Sequence, residues 1–431
     1  MDWIFPEGIY TVVMMGTFVV ATFVFKFPIA LAMALAAVMG AVVAGEGIPL
    51  RHLVEGAFGY LDTILIIATA MIFMKTVEHI GLLETVAARV IRRFKNAPLS
   101  LTFSIILIIM FPGMITGSST AAVLTSGALV APILIRLGVP AEKAAAAIAM
   151  GAIYGMCAPP VNIPAMIICG GIDMPYVGFG IPLLICTVPL AALTGLMFIL
   201  PYLKKRISSA EAEASLEEAL GQMRQAKLSF RLLLPFIVLV ALLLGERLLP
   251  GHWPQLGMPL SFFLAAVTGL FSGQKWRPVA AATEAVKEAL PVMGILMGVG
   301  MFIQIMTLNG VRGFFVVSVL ALPAWLVYVG IATSMPAFGA VSAFGSATVL
   351  GVPFLLALLG NNEILVGSAL SLIAGLGDLM PPTALAGIFA AQVVGEANYF
   401  RVLKHCIIPG ALTAIWGVLI ILLANRIAAL I

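Results

Sequence analysis

Polar interruptions inside long apolar runs set the pattern of this chain. The sharpest lies in Phe111–Ala131, FPGMITGSSTAAVLTSGALVA, which is apolar enough for a bilayer yet carries Thr116-Gly117-Ser118-Ser119-Thr120 at its middle. Glycine with serine and threonine marks a turn, and Ser or Thr ahead of an apolar run caps a helix. The pattern predicts two half-helices meeting at a polar tip, a re-entrant hairpin over residues 98–135. A second interruption follows in the segment 144–171, at Cys157-Ala158-Pro159-Pro160-Val161-Asn162. Two adjacent prolines remove two backbone donors and push Ala158 out of the helical region, which predicts a broken transmembrane helix.

Around these lie ordinary spans, about Gly8–Phe25, a second ending near Gly45, Tyr60–Ile80 and a sixth ending at Lys204-Lys205-Arg206. Glu46–Phe58 reads as a connection, and Leu82–Lys95 as an amphipathic helix suited to the membrane surface. Residues 204–230 are hydrophilic, with Ser208 and Glu211 in a capping-box pattern, and read as a solvated linker. The second half, 231–431, repeats the plan. Spans at Phe230–Leu249 and Met258–Ser272 are followed by a connection at Gln274–Lys287, a span at Ala289–Leu308 and an arm at Val311–Leu320. Then come a hairpin over 323–359 with its tip at Ser342–Thr348, a helix over 364–395 broken at Gly375–Thr383, and a last span from Cys406 to Ala424. Gly117-Ser118 and Gly345-Ser346 are 228 residues apart, Pro159-Pro160 and Pro381-Pro382 are 222 apart, and Ile80 and Leu308, entering the two arms, are again 228 apart. Landmarks recurring in one order at nearly one offset predict an internal repeat of residues 1–203 in 231–431.

Composition narrows the class. Of 431 residues 62% are hydrophobic and 10% charged, and mean hydropathy is +1.15. Soluble chains carry about 25% charged residues, so a soluble fold is excluded, as is the alternating pattern of a transmembrane barrel. The predicted fold is an all-α polytopic membrane protein. Cys157, Cys169, Cys186 and Cys406 lie in apolar segments and read as small core residues. The basic residues sit at segment ends rather than in a nucleic-acid-binding patch. Met1-Asp2-Trp3 lacks a basic leader, so the first span is expected to stay. All but four of the 23 lysines and arginines (Arg51, Arg247, Arg312 and Arg426) fall on one side of the proposed spans. That side is the cytoplasm by the positive-inside rule. Six elements per half, with a hairpin that re-enters its own side, make the two repeats inverted in topology.

Inverted repeats with broken helices at the midplane are the pattern of secondary transporters. Non-helical backbone survives at membrane depth only where protein buries it or it lines a wet cavity. Freed carbonyls and hydroxyls suit a hard cation such as Na⁺, and half-helix N-termini suit an anionic group. Ser118, Ser119 and Thr120 are expected near Pro159 and Asn162. Gly345, Ser346 and Thr348 are expected near Asp378, Pro381 and Thr383. Thr120, Asn162, Thr348 and Thr383 are the candidate substrate contacts. Each hydroxyl taken singly reads equally well as a buried group bonded to its own helix. Asp378 reads as a cation ligand, a proton carrier or a helix cap, because a carboxylate at membrane depth is costly. No Lys or Arg occurs in 111–135, 150–170, 335–360 or 364–392, so bidentate arginine recognition of a carboxylate is not offered there. Enzyme motifs are missing as well: there is no Gly-x-Ser-x-Gly elbow or His-Glu-x-x-His run, and His52, His79, His252 and His405 lie near segment ends.

At Gly81 before the arm, Gly117-Ser118-Ser119-Thr120-Ala121, Pro159-Pro160 and Ile181-Pro182, the chain resembles the large permease subunit of the tripartite ATP-independent periplasmic (TRAP) transporters, in the ion transporter superfamily. The resemblance covers most of the chain and is strongest over 80–189. It implies an elevator mechanism, Na⁺-coupled import of small organic anions such as dicarboxylates or sugar acids, and residence in the inner membrane. It also implies a small membrane subunit and a periplasmic substrate-binding protein as partners. The family's sodium sites carry over to Ser118, Ser119 and Pro159 in the first half and to Gly345 and Pro381 in the second. The second tip departs from the family pattern, and Asp378 stands where a neutral residue is expected. A stand-alone carrier of the same superfamily, coupled to H⁺ through Asp378, therefore stays open beside the TRAP reading.

Overall fold

The protein was analysed as a computed structural model, which describes residues 5–206, 217–218, 220–221, 228–249, 252–254, 256–381 and 384–431. The Ser208–Glu211 capping pattern and most of the hydrophilic linker lie outside them. Among the described residues every regular element is helical, as lipid demands of an open chain whose backbone groups must all be paired internally.

The first half begins with α1 (Pro6–Phe23), α2 (Ile29–Val43), α3 (Leu50–Phe58) and α4 (Leu61–His79). Then come α5 (Leu82–Phe94), α6 (Pro98–Thr116), α7 (Ser119–Ala122), a π-helical turn at Val123–Gly127, and α8 (Ala128–Arg136). It closes with α9 (Ala141–Met156), α10 (Ile163–Gly170), α11 (Gly180–Phe198) and α12 (Leu200–Arg206). The second half has α13 (Phe230–Leu248), α14 (Gly257–Thr268), α15 (Pro278–Leu308) and α16 (Val311–Leu320). After them come α17 (Ala324–Gly339), α18 (Ala343–Ser346), a π-helical turn at Ala347–Gly351, α19 (Val352–Ala357), α20 (Glu363–Gly375), α21 (Leu385–Val393) and α22 (Tyr399–Ala428). Among the described residues six helices are long and apolar enough to cross a membrane, or seven if α3 and α4, bent by 41°, form one span.

The helices pack as two groups. In the first, α15 lies against α2, α3 and α4, with α14 on α4 and α1 on α2. In the second, α6, α11, α21 and α22 surround α9, while α10, α11, α17 and α22 surround α20. Every residue of α9 from Ala144 to Met156 is buried, as is every residue of α20 from Leu365 to Gly375. The two helices that lead into the breaks are thus the axes of the second group. The alanine run Ala144–Ala147 permits this, since small side chains let helices approach closely where lipid gives no hydrophobic drive. The arms α5 and α16 lie between the groups, each entered through a left-handed glycine, Gly81 (φ 73°) and Gly310 (φ 77°).

Two connections expected from the sequence are helical instead. Part of Glu46–Phe58 forms α3, whose Gly56 meets Gly300 of α15 backbone to backbone: a Cβ on Gly56 would sit 2.6 Å from the Gly300 carbonyl oxygen. Residues 278–287, read as connection, are the first turns of the 31-residue α15. Two glutamates in or just after this stretch are paired: Glu288 accepts from Lys75 at 2.7 Å and Glu284 meets His79 at 2.9 Å, with Lys75 also 3.0 Å from Glu78. This ladder joins α4 to α15 and lets helix continue through a polar stretch.

Backbone contact also sets the spacing of α6 and α9. A Cβ on Gly155 would lie 2.4 Å from Met110 O, and one on Gly113 2.8 Å from Met156 N. Gly155→Ala should therefore lower stability by about 1–3 kcal/mol, the usual cost of overpacking. Gly330→Ala, with nothing within 4 Å of the added carbon, should leave it unchanged. Thermal unfolding in detergent reads the difference, and equal midpoints for both variants would contradict the packing described.

Candidate functional site

The first tip is built by two residues. Gly117 ends α6 in the left-handed region (φ 64°), where a Cβ would sit 2.6 Å from Ile163 Cγ1. Ser118 then turns extended, and its Oγ accepts from Ala121 N at 3.2 Å, capping α7. The second tip repeats the device at Ser342, whose Oγ accepts from Gly345 N at 3.2 Å before α18. Each short helix runs into a π-helical turn, and both caps and both turns are 224 residues apart. The counterpart of Ser118 is therefore Ser342. The expected match of Gly117-Ser118 with Gly345-Ser346 is wrong, because the Gly-Ser dipeptide recurs by composition while the cap is defined by which hydroxyl reaches the first free N–H. Gly345 and Ser346 occupy the places of Ala121 and Ala122, inside the helix.

Both breaks are held from outside. Around the cis Pro159–Pro160 bond, Val161 N donates to Met114 O of α6 at 3.1 Å. Asn162 is fully buried; its Oδ1 accepts from Ala165 N at 2.9 Å, which caps α10, and its Nδ2 donates to Cys157 O at 2.8 Å and to Ser371 Oγ at 2.9 Å. Tyr60, just ahead of α4, donates to Ile167 O at 2.8 Å, and Tyr176 to Pro160 O at 3.3 Å. In the second break α20 tightens into a 3₁₀ turn at Leu376–Leu379, and Met380 leaves the helical region (ψ 126°). Tyr399 donates to Leu379 O, and α21 starts after Ala384, which has φ 33° and no side-chain cap. Pro381 is exposed. Pro382 and Thr383 lie outside the described residues.

The expected pairing of each tip with the break of its own half holds only in part. Gly117 does lie on Val161 and Ile163 of the first break, and Gly339, before the second tip, meets Gly377 backbone to backbone. The polar contacts cross between halves instead. Ser119 of the first tip donates to the carboxylate of Asp378 in the second break, and Asn162 of the first break donates to Ser371 of α20. The second π-helical turn likewise packs on α10, where a Cβ on Gly351 would lie 2.9 Å from Ile168 Cδ1.

The other candidates differ in what they leave free. Ser118 and Thr120 are half-buried at the first tip, and Pro159 is half-buried in the first break. Ser346 is buried and donates to Met335 O at 2.7 Å, and buried Thr348 donates to Phe344 O at 2.7 Å. Gly345 faces Phe18 and Met33 of the first helix group, both 3.4 Å from a built Cβ. Ser371, Tyr60 and Tyr399 were missed. Ser368 and Ser371, three residues apart in the apolar α20, were the signal available for the first; a lone tyrosine at a span end carries none. The gathered donor set is hydroxyls, carbonyls and one carboxylate, all oxygen ligands that fit a hard monovalent cation. Among the described residues no three His, Cys, Asp or Glu come together, so nothing there resembles a transition-metal site.

With this geometry in place, comparisons set the chain among known proteins. The family described as tripartite ATP-independent periplasmic transporter, DctM component, matches residues 15–427. Among solved structures the chain is similar to the YdaH transporter of Alcanivorax borkumensis, at 16% identity and a TM-score of 0.59, over 91% of this chain and 97% of that one. That likeness concerns the fold. No curated protein sequence matches.

Asn162→Ala removes a cap and two buried donors at once and strands Ala165 N. The expected loss is about 3 kcal/mol or more, since each orphaned buried group costs 1–3 kcal/mol. Ser118→Ala, which loses one half-exposed cap, should cost about 1 kcal/mol. Denaturant or thermal unfolding of the purified variants checks the order, and a loss for Asn162→Ala no larger than for Ser118→Ala would show that Asn162 does not hold the break.

Proposed function

The chain belongs to the family of the DctM component of the TRAP transporters, and from that premise we propose that it is the large permease subunit of a secondary carrier. In this reading it imports a small organic anion, a dicarboxylate or sugar acid, on a Na⁺ gradient, with a small membrane subunit and a periplasmic binding protein as partners. The observation that carries the reading is the convergence of both tips and both breaks in the second helix group. That group meets the first through the arms α5 and α16 and through contacts such as Phe18 stacked on Phe338 at 5.9 Å. A body that gathers both tips and both Pro-Pro breaks, set against a separate helix group, is the division an elevator movement needs.

Ser118, Ser119 and Asp378 would hold the cation with the freed backbone at Pro159, and the second tip at Gly345 and Ser346 with Pro381 is the weaker candidate. A bound Na⁺ supplies the positive charge that the Lys- and Arg-free segments lack. Thr120, half-buried at the first tip, is then the candidate offered to an anion. The polar contacts agree with the proposed sidedness. His405 meets Glu142 at 3.3 Å, Lys143 meets Tyr202 at 2.8 Å, and Arg92 and Arg136 meet Glu217 and Glu218 at 3.1 and 3.0 Å. All join positions that the charge count assigns to the cytoplasmic side of the inner membrane. Asn425 meets the 360–362 turn, on the opposite side by the same count.

A second reading is favoured by Asp378: a stand-alone carrier, coupled to protons through that carboxylate. Uptake by proteoliposomes, with and without a Na⁺ gradient and with and without partner subunits, separates the two across a panel of dicarboxylates, sugar acids and neutral solutes. The expected result is Na⁺-driven uptake of a carboxylate that requires the partners. Partner-free uptake on a proton gradient would select the second reading. No uptake under any gradient would remove both.

A further inference from the structure

We propose that Ser119 and Asp378 form one charged cation site shared between the two halves of the chain, in which the Asp378 carboxylate is the residue that neutralises and selects the coupling cation. The inference rests on the cation-coupled reading above and deepens it by making the Asp378 carboxylate the group that carries the site's charge and its selectivity.

Symmetry is the first argument. At the tip offset of 224, Ser119 corresponds to Ala343; at the break offset of 222, Asp378 corresponds to Met156. Both members of the Ser119–Asp378 pair therefore have apolar counterparts in the other copy, Ala343 and Met156. Met156 and Asp378 each follow a glycine whose backbone lies directly against a neighbouring helix. Gly155 presses on Met110 and Gly377 on Gly339, in both cases backbone to backbone. What differs between the copies is polarity, and it differs at both members of one pair.

Charge is the second argument. Ser119 is the hydrogen-bond partner of Asp378, and the surrounding segments contain no Lys or Arg. Ion pairs among the described residues lie elsewhere, for example within α3, at α4–α15, at the linker and around Glu142. Asp378 is half-buried, and a carboxylate at membrane depth with no lysine or arginine beside it is costly. A small cation between carboxylate and hydroxyl removes that penalty and supplies positive charge where an anionic substrate is proposed to dock.

Rigidity is the third. The turn carrying Asp378 is fixed by Gly339 on one side, by Cys157 against Gly375 on another, and by the Tyr399 bond to Leu379 O. At the opposite tip Ser346 and Thr348 have already donated their protons to backbone carbonyls.

The test reads binding rather than transport. The purified full chain is titrated with NaCl at constant ionic strength, balanced with choline chloride, and thermal unfolding is recorded. The expected result is a saturable, Na⁺-specific rise in Tm for the wild type. In Asp378→Asn that response should be lost or its midpoint displaced by about tenfold or more, while its Tm without Na⁺ equals or exceeds that of the wild type. Ser119→Ala, which keeps the carboxylate, should weaken the response by less, and it serves as second variant if Asp378→Asn does not fold. Asp378→Asn responding to Na⁺ as the wild type does would overturn the site while leaving Na⁺-coupled transport standing. A wild type indifferent to Na⁺ would overturn the site and the sodium reading together, and stabilisation on acidification in its place would assign the pair to a proton.

Discussion

A helix interrupted at membrane depth must have its freed N–H and C=O groups satisfied by protein, at a cost of several kcal/mol for each one left alone. In this chain the satisfying groups come from elements far apart in sequence. Met114 of α6 takes the Val161 donor, Tyr60 just ahead of α4 reaches the Ile167 carbonyl of α10, Asn162 binds Ser371 of α20, and Tyr399 of α22 holds Leu379. Each bond that repairs a break also fixes the place of the element that supplies it. The breaks therefore determine the arrangement of the second helix group.

That repair works only if backbones come close, and glycine makes the approach. Gly113 and Gly155 bring α6 onto α9, while Gly339 and Gly377 bring α17 onto the second 3₁₀ turn. Because lipid tails are as apolar as leucine, packing and hydrogen bonds rather than hydrophobic burial hold these helices together. Small residues at the crossing and polar groups at the break are two parts of one requirement.

Much of this was legible in the sequence. Apolar runs located the spans, Gly-Ser and Pro-Pro clusters located the four interruptions, and the order of landmarks located the repeated element pattern. The detail of the tips was not legible, because a capping serine and a serine one turn into a helix look alike in text; Ser342 and Ser346 differ only in which backbone group each reaches. The continuity of α15 was hidden by charges such as Glu284 in the stretch read as the connection Gln274–Lys287, until His79, and Lys75 beside it, supply partners across the packed face. Contacts between halves, such as Ser119 with Asp378, have no local signature at all, since periodicity and turn chemistry report neighbours in sequence.

The two tips have diverged within a shared frame, and the divergence orders their roles. The first tip keeps Ser118, Ser119 and Thr120 half-exposed or turned to a carboxylate. The second replaces the corresponding Ser119 and Thr120 with Ala343 and Phe344, and it presents Gly345 to Phe18 and Met33. An apolar tip seated on the first helix group is suited to sliding or resting against it, because apolar contact is non-directional and survives a shift in register. A hydroxyl–carboxylate contact is directional and short-ranged, so it is suited to sensing a ligand. Under the proposed elevator reading, the polar tip would register the cargo and the apolar tip would form the moving seam, two functions drawn from one repeated hairpin by changing which copy carries charge.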